Sequence, residues 1–362
     1  MKKQRIAVLS MLVVGAMALT ACTASTPGED GDERLSIKMG MASNDTYTAE
    51  WWGWLAANTL GYYDDLNLDV EFVPTGGSGE AVEQLVAGNL DAANPSMPSV
   101  GEAAVAGLDV VNVFTYSSGA IFGIFAPSDS GIKSIADLDG KRIGVSEPGG
   151  GEVAFLEAAL QAEGIDPITG VTIIPIGEGG PETFAALQGK QVDAYSTAYN
   201  DIFALQTSGV TLDDLTPASY KDYPARGIVT TSKVIAEKAD ALKAFARGTA
   251  MGIVFCLENN DACIDMLKKA IPAAFEENAD GISQGELRFA LSLTQVPPRD
   301  PARIGAHDVA GTQEFLDLIA STIESPAPVD VKKFLNDDFL DYANDFDRAP
   351  IIKAADNYST AG

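Results

Sequence analysis

The side chains able to do chemistry here are carboxylates, aromatic rings and one run of glycines. Catalytic machinery is scarce: His307 is the single histidine, and no Gly-x-Ser-x-Gly elbow, HExxH pair or P-loop occurs. Within Gly305-Ala-His-Asp308 that histidine reads as a helix-start residue without a visible catalytic or metal-binding partner. The chain does carry Ile135 to Glu152, IADLDGKRIGVSEPGGGE, in which an apolar strand runs into Pro148, Gly149, Gly150 and Gly151. After the glycines, Val153, Leu156 and Leu160 recur on one helix face. Strand, glycine loop and helix in that order place free backbone N–H groups beyond the carboxyl end of a strand, where open α/β sheets bind ligands. Glycines also serve simply to turn a chain, so the loop alone leaves the role open.

Six further loops stand in equivalent positions: 42–50, 75–80, 94–98, 116–121, 177–182 and 196–201. Together with residues 146–152 they contain no Lys or Arg, yet carry Asp45, Glu50, Glu80, Glu147, Glu152, Glu178, Glu182 and Asp201. Carboxylates around a cleft oppose a simple anion, which would have to rely on helix N-termini alone. Arg226 is the one cationic exception. Tyr47, Trp51, Trp52, Tyr116 and Tyr199 sit at the same loops, and flat rings with polar tips suit a planar organic ligand or a cation. The expected ligand contacts are Asn44, Tyr47, Trp51, Ser78, Ser96 and Tyr116 from one side of the cleft. From the other come Pro148, Gly149, Gly150, Gly151, Thr197, Tyr199 and Asp201. For Trp51, Trp52 and Trp54 the alternative is that at least two pack into the core, and for Tyr199 and Asp201 that they form a surface turn.

The elements that must hold these loops follow from period and punctuation. Leu35 to Met41 alternates as a strand, residues 51–60 read as a helix, Asp69 to Val73 as a strand, and Glu80 to Ala87 as a helix with Val82, Leu85 and Val86 inward. Strands then alternate with helices up to Gly227–Thr231, and 233–344 reads almost wholly as helix. Such alternation gives parallel βαβ units. Two successive rounds predict two α/β lobes, 35–126 with 227–362 forming the first and 127–226 inserted as the second. The hinge crossings are expected near Pro127 and near Arg226, with the loops of both lobes facing one cleft.

The ends and the charge set the address. Lys2, Lys3 and Arg5 precede an apolar run from Ile6 to Leu19 and then Leu19-Thr20-Ala21-Cys22, an export signal over residues 1–21 rather than a spanning helix. The tetrapeptide resembles the bacterial lipobox, which implies lipidation of Cys22 and a lipid anchor on the outer face of the cell membrane. Residues 22–34 are a flexible tether. Removing three basic and no acidic residues with the signal takes the net charge from −27 to −30, a body that repels nucleic acid and anionic headgroups. Cys256 and Cys263 flank a helix break; outside the cytoplasm they read as a local disulfide, with two buried free thiols as the alternative. No metal or cofactor is expected.

Five segments in order carry a resemblance: Gly61 to Pro74 (GYYDDLNLDVEFVP), Gly77-Ser78, the Leu-x-x-Gly-x-x-Asp spacing of Leu85 to Asp91, Ile135 to Val145, and Leu187 to Ala194 (LQGKQVDA). Together with Val329 to Leu340 they resemble the solute-binding proteins of ABC importers, in the branch that handles nitrate, sulfonates, taurine and thiamine pyrimidine precursors. The resemblance implies a type II periplasmic-binding-protein-like α/β fold of two lobes, each a mixed sheet flanked by helices, with a helical C-terminal extension. It implies a monomer that captures a small solute and delivers it to a permease with its ATPase. From the loop chemistry, a neutral or weakly basic heterocycle such as a pyrimidine-type vitamin precursor is the favoured solute. Sulfonate, taurine or nitrate is the alternative. Pyrimidine synthases of the same fold depend on a cysteine-rich motif and histidines that this chain lacks, so an enzyme is not expected. A surface interaction protein that no longer binds solute is a third reading.

Overall fold

Ten strands among the described residues divide between two five-stranded sheets. The computed structural model describes residues 34–44, 49–119, 121–218, 220, 223–276, 283–294, 298–321, 323 and 325–360. Cys22, with the signal and tether, and Tyr47, with Asp45, lie outside them.

The first sheet takes β1 (Leu35–Met41), β2 (Leu68–Pro74), β3 (Ala92–Ala93), β4 (Val111–Ser118) and β10 (Pro224–Thr230), in the order β2-β1-β3-β10-β4. In β1 the alternation turns Ile37, Met39 and Met41 inward and leaves Ser36 and Lys38 in water. The β1 strand runs parallel to β2 and β3, whereas β10 runs antiparallel to β3 and β4. The second sheet repeats this plan with β5 (Phe122–Pro127), β6 (Arg142–Val145), β7 (Thr172–Pro175), β8 (Ala194–Ala198) and β9 (Leu212–Asp214), ordered β7-β6-β8-β5-β9. Here β6 is parallel to β7 and β8, and β5 is antiparallel to β8 and β9.

In each sheet the fourth strand in order is therefore the one reached by crossing over. The chain changes sheet between Ser118 and Phe122, ahead of Pro127, and returns between Asp214 and Pro224. The two crossings lie side by side, with the Gly119 N–H donating to the Tyr223 carbonyl at 3.0 Å. Several local readings change: Tyr116, Ser117 and Ser118, read as loop, belong to β4, and Tyr199 to Asp201, also read as loop, open a helix. Ser196 and Thr197, read as loop, are strand residues of β8, because their backbone pairs with Ile124 and Gly123 of β5. The short edge strand β9 was not legible at all.

Helices cover both sheets: α1 (Trp52–Thr59), α2 (Tyr62–Asp65), α3 (Ser78–Val86) and α4 (Met97–Val105) with the first, and α5 (Gly151–Ala162), α6 (Pro181–Gln188) and α7 (Tyr199–Thr207) with the second. The C-terminal region then supplies α8 (Ser232–Glu258), α9 (Asn260–Ala270), α10 (Gln284–Thr294) and α11 (Val309–Ser321), followed by shorter helices. Helix α1 lies directly on α8. A Cβ on Gly252 would stand 2.0 Å from the Gly53 carbonyl oxygen, so glycine at the crossing lets the two backbones meet. Between α8 and α9 the Asn259 side chain caps Ala262, and Cys256 and Cys263 stand with Cα atoms 5.5 Å apart and their sulfurs in contact. The His307 ring is buried before α11, its Nδ1 2.7 Å from Thr115 Oγ1, and burial pulls its pKa below the usual histidine value. It serves as a tie between the C-terminal region and β4.

Candidate functional site

The carboxyl ends of the parallel strands of both sheets converge on one cavity of about 70 Å³. From the first sheet, β1 runs out into Ala42 and Ser43, β2 into the loop before Ser78, and β3 into Asn94-Pro-Ser96. These loops are tied to one another. Ala42 N–H donates to Asn94 Oδ1 at 2.9 Å, Thr75 Oγ1 donates to the Met41 carbonyl at 2.8 Å, and Ser96 N–H donates to Ser78 Oγ at 3.1 Å. From the second sheet, β6 runs into Ser146 and Glu147, β7 into Glu178, and β8 into Asn200 and Asp201. The site thus lies where open α/β sheets place ligands.

The loops of the two sheets touch. Gly79 N–H donates to the Gly149 carbonyl at 3.0 Å, and Asn44 Nδ2 donates to Glu147 Oε2 at 3.3 Å. A Cβ on Gly77, whose φ is +115°, would fall 2.4 Å from Glu147 Oε1, and one on Gly151 would fall 1.9 Å from Ser96 Oγ. Glycines at these positions are what allow the approach. The glycine run therefore does more here than turn the chain. Its Gly151 lines the cavity, Gly149 bridges to the opposite loop, and Pro148 is exposed.

Five carboxylates and two guanidiniums line the cavity. Arg226 Nη2 lies 3.4 Å from Glu50 Oε2, and its Nη1 donates to the Asn94 carbonyl at 3.3 Å. Arg288 reaches the cavity from α10; its Nη2 is 3.2 Å from Asp201 Oδ1 and donates to the Glu178 carbonyl at 3.2 Å. Asp201 Oδ2 also accepts from Thr197 Oγ1 at 2.7 Å, and Thr197 in turn lies 2.9 Å from Ser146 Oγ. Burial pushes the Asp201 carboxyl above its ordinary value, opposed by Arg288 and Thr197. Glu152 turns back on its own helix start and accepts from Ser146 N–H at 2.9 Å and Glu147 N–H at 3.1 Å. Burial still raises it.

Glu147 and Glu178 are less well matched. Burial, then Glu178 and Glu152, push Glu147 up to about 7. Burial and then Asp201 push Glu178 to about 7 as well. Glu178 keeps much of its surface in water at the mouth of the cleft, so solvent screens its shift more than that of half-buried Glu147. On the opposite wall, Trp51 Nε1 and Arg226 Nε are buried donors with no hydrogen-bond partner, and Ser96 Oγ and Asn94 Nδ2 are likewise buried and unmatched. Groups of this kind are rare in folded proteins; Trp54 Nε1 in the core shares the property, and it is their place among the cavity's lining residues that singles out Trp51 and Arg226.

Among the sequence-predicted residues, Trp51, Ser78, Gly151 and Asp201 line the cavity. Asn44, Ser96, Gly149, Gly150 and Thr197 sit just behind or across it. Tyr116 does not face it: its ring lies 4.4 Å from Trp54, and its hydroxyl accepts from Gly53 N–H at 3.1 Å inside the core. Tyr199 also points away, its hydroxyl donating to Asp214 Oδ2 at 3.0 Å and its ring edge-on to Phe125. All three tryptophans are buried in the core, and Trp51, 1% exposed, does double duty as a cavity wall. Arg288 was missed, because it belongs to a helix far along the chain with no local signal; only its neighbour Phe289, packed on Trp52, is legible as core. Phe122 and Asn200 were also missed.

A family model described as NMT1/THI5 like matches residues 48–263. The riboflavin-binding protein RibY of Chloroflexus aurantiacus is 26% identical over 367 residues, covering 94% of this chain and 99% of its own. Among solved structures, the alkanesulfonate-binding protein SsuA of Xanthomonas axonopodis pv. citri, bound to MOPS, is similar with a TM-score of 0.62 at 16% identity, over 84% of this chain and 99% of its own. The desulfurization enzyme DSZB is similar with a TM-score of 0.52 at 14% identity, over 86% and 99%. At these identities the structural likeness establishes the two-lobe periplasmic-binding-protein fold and nothing finer.

Proposed function

We propose, from the premise that this chain belongs to the NMT1/THI5-like family, that it is the solute-binding protein of an ABC importer. It is exported, anchored through a lipid on Cys22, and acts as a monomer that hands a small organic solute to a permease and its ATPase. The observation that carries the reading is the cavity itself, closed between two sheets and lined by five carboxylates and two arginines, with the unmatched N–H groups of Trp51 and Arg226 among its lining residues. A solute touching both walls stabilises the closed arrangement by contacts that the open one cannot make. The sulfonate- and riboflavin-binding relatives support a binding role, and the Cys256–Cys263 pair fits a disulfide of an exported protein.

The favoured solute is a neutral or weakly basic heterocycle. Five carboxylates against two guanidiniums, each guanidinium already facing a carboxylate, disfavour a simple anion. Water needs at least about 10–15 Å³ per molecule by the same measure of volume, so a cavity of about 70 Å³ takes a single-ring solute better than a fused tricycle. Sulfonate, taurine or nitrate binding is the second reading, favoured by the SsuA likeness and by Arg226. His307 is tied to Thr115 away from the cavity, and the Thr197–Asp201 hydroxyl–carboxylate pair at its wall is engaged by Arg288, so a binding role is preferred to catalysis of the DSZB kind.

A thermal-shift screen of pyrimidines, other vitamin precursors, aminosulfonates, alkyl sulfonates and nitrate tests this. A specific solute at about a hundred times its dissociation constant adds about 2.7 kcal/mol, enough to move the melt. A shift with heterocycles supports the favoured class. A shift with sulfonate or nitrate alone moves the assignment to the second reading, and turnover of a bound compound would replace binding by catalysis.

A further inference from the structure

The two walls of the cavity differ in what they leave unsatisfied. On the wall of the first sheet, Trp51 Nε1 and Arg226 Nε are buried N–H groups without acceptors. Trp51 is 1% and Arg226 8% exposed, so neither group reaches bulk water. A buried donor of this kind loses its hydration without replacement. On the facing wall the needs are opposite. Glu152 is matched by two backbone N–H groups, and Asp201 by Thr197 and Arg288. Glu147 receives one long amide bond, from Asn44 at 3.3 Å, although a carboxylate offers about four acceptor positions. Two N–H groups on one wall are without acceptors, and one carboxylate on the other, Glu147, is short of donors.

We propose that the cavity selects a small molecule with a hydrogen-bond acceptor and an N–H donor on one edge, the acceptor turned to Trp51 and Arg226 and the N–H to Glu147. An amide, a neutral amidine or an amino-substituted ring has such an edge. The inference rests on the solute-binding reading and adds the polarity and orientation of the solute. A pure anion would satisfy the first wall and confront carboxylates on the second. A pure cation would satisfy the second and set its N–H groups against those of the first. Only a molecule carrying both bridges the walls, and bridging is what favours closure.

Three compounds of one shape separate these cases: benzamide carries donor and acceptor, benzamidinium donors only, and benzoate acceptors only. They are titrated calorimetrically, at matched ionic strength, into the chain from Arg34 onward, which forms one compact unit. Benzamide is expected to bind at least tenfold more tightly than either of the others. Trp51→Phe, which keeps a ring and removes the N–H, should weaken benzamide about five- to tenfold, the effect of one hydrogen bond. Glu147→Gln, less exposed to folding defects, should weaken it by a similar factor of about five or more, since the new amide presents N–H groups to the ligand's own. Benzoate or benzamidinium binding as tightly as benzamide overturns the proposal, as does an unchanged affinity in both variants. If all three fail while methanesulfonate or nitrate binds, the dipolar edge is wrong and the solute-binding reading stands. If no compound of any class binds, both fall.

Discussion

Replacing Glu147 by Gln should make the ligand-free protein more stable, and only above a certain pH. The Glu147 carboxyl is half-buried and faces Glu178, Glu152 and Glu80, with the Arg226 guanidinium the single opposing charge and the Asn44 amide its one hydrogen-bond donor. Together these raise it from 4.5 to about 7. Between those values the folded state binds more protons than the unfolded one, so stability falls as pH rises through the window and the full penalty stands above about pH 7. At about 1.36 kcal/mol per unit the penalty is at most about 3 kcal/mol. Opening the cleft returns Glu147 to water at less cost than unfolding, so a gain of roughly 1–2 kcal/mol is the realistic expectation for the variant. Gln keeps the shape and the acceptor for Asn44 but cannot ionise. Urea midpoints of the two proteins should therefore differ at about pH 8 and converge near about pH 4, where both carry a neutral side chain. A difference independent of pH, or a variant less stable at the higher pH, would refute the reasoning about the acidic wall.

Arg288→Ala should cost about 3–5 kcal/mol, because it leaves Asp201, 3% exposed, without its guanidinium; adding Asp201→Asn should restore part of the loss, and a double variant no better than the single would place the effect in helix packing. Gly151→Ala should leave the fold intact and hinder closure, since its Cβ would stand 1.9 Å from Ser96 Oγ; small-angle scattering that shows the same compactness with and without the substitution would contradict it. Trp51→Ala should cost about 3–5 kcal/mol in stability as well as affinity, given its place in the core; an unchanged melt would show that the ring is only a cleft wall. Alkylation under native and reducing conditions should find Cys256 and Cys263 protected until reduced, and two thiols that react without reductant would remove the disulfide.

What could be read in the chain beforehand depended on how local its cause was. The β1 alternation from Leu35 to Met41 and the helix after Gly151 follow from neighbours a few residues away, and both elements stand where they were expected. The loops at the strand ends were legible for the same reason, which is why Asp201, Ser78 and the glycine run were found. Which way a side chain faces from a strand end is another matter. Tyr116 and Tyr199 were assigned to the cleft as loop aromatics, but ladder register and helix packing turned Tyr116 onto Trp54 and Tyr199 onto Phe125. Arg288 arrives from α10 across a long sequence separation, and its partner Asp201 gives no local hint of it. One of the cavity's two guanidiniums therefore comes from outside the strand-end loops, although acids still outnumber them.

The exchange of the fourth strand between sheets also fixes an order of assembly. All five strands of the second sheet lie between Phe122 and Asp214, so that sheet can be completed as soon as Asp214 is available. The first sheet begins far earlier, yet among the described strands β4 pairs with β10 alone, and β3 reaches β4 only through β10. Its hydrogen-bond ladder stays open until Thr230 has emerged. Along a chain delivered from its N-terminus, the module encoded second is the first that can close, and the module encoded first waits with its edges of β3 and β4 unpaired.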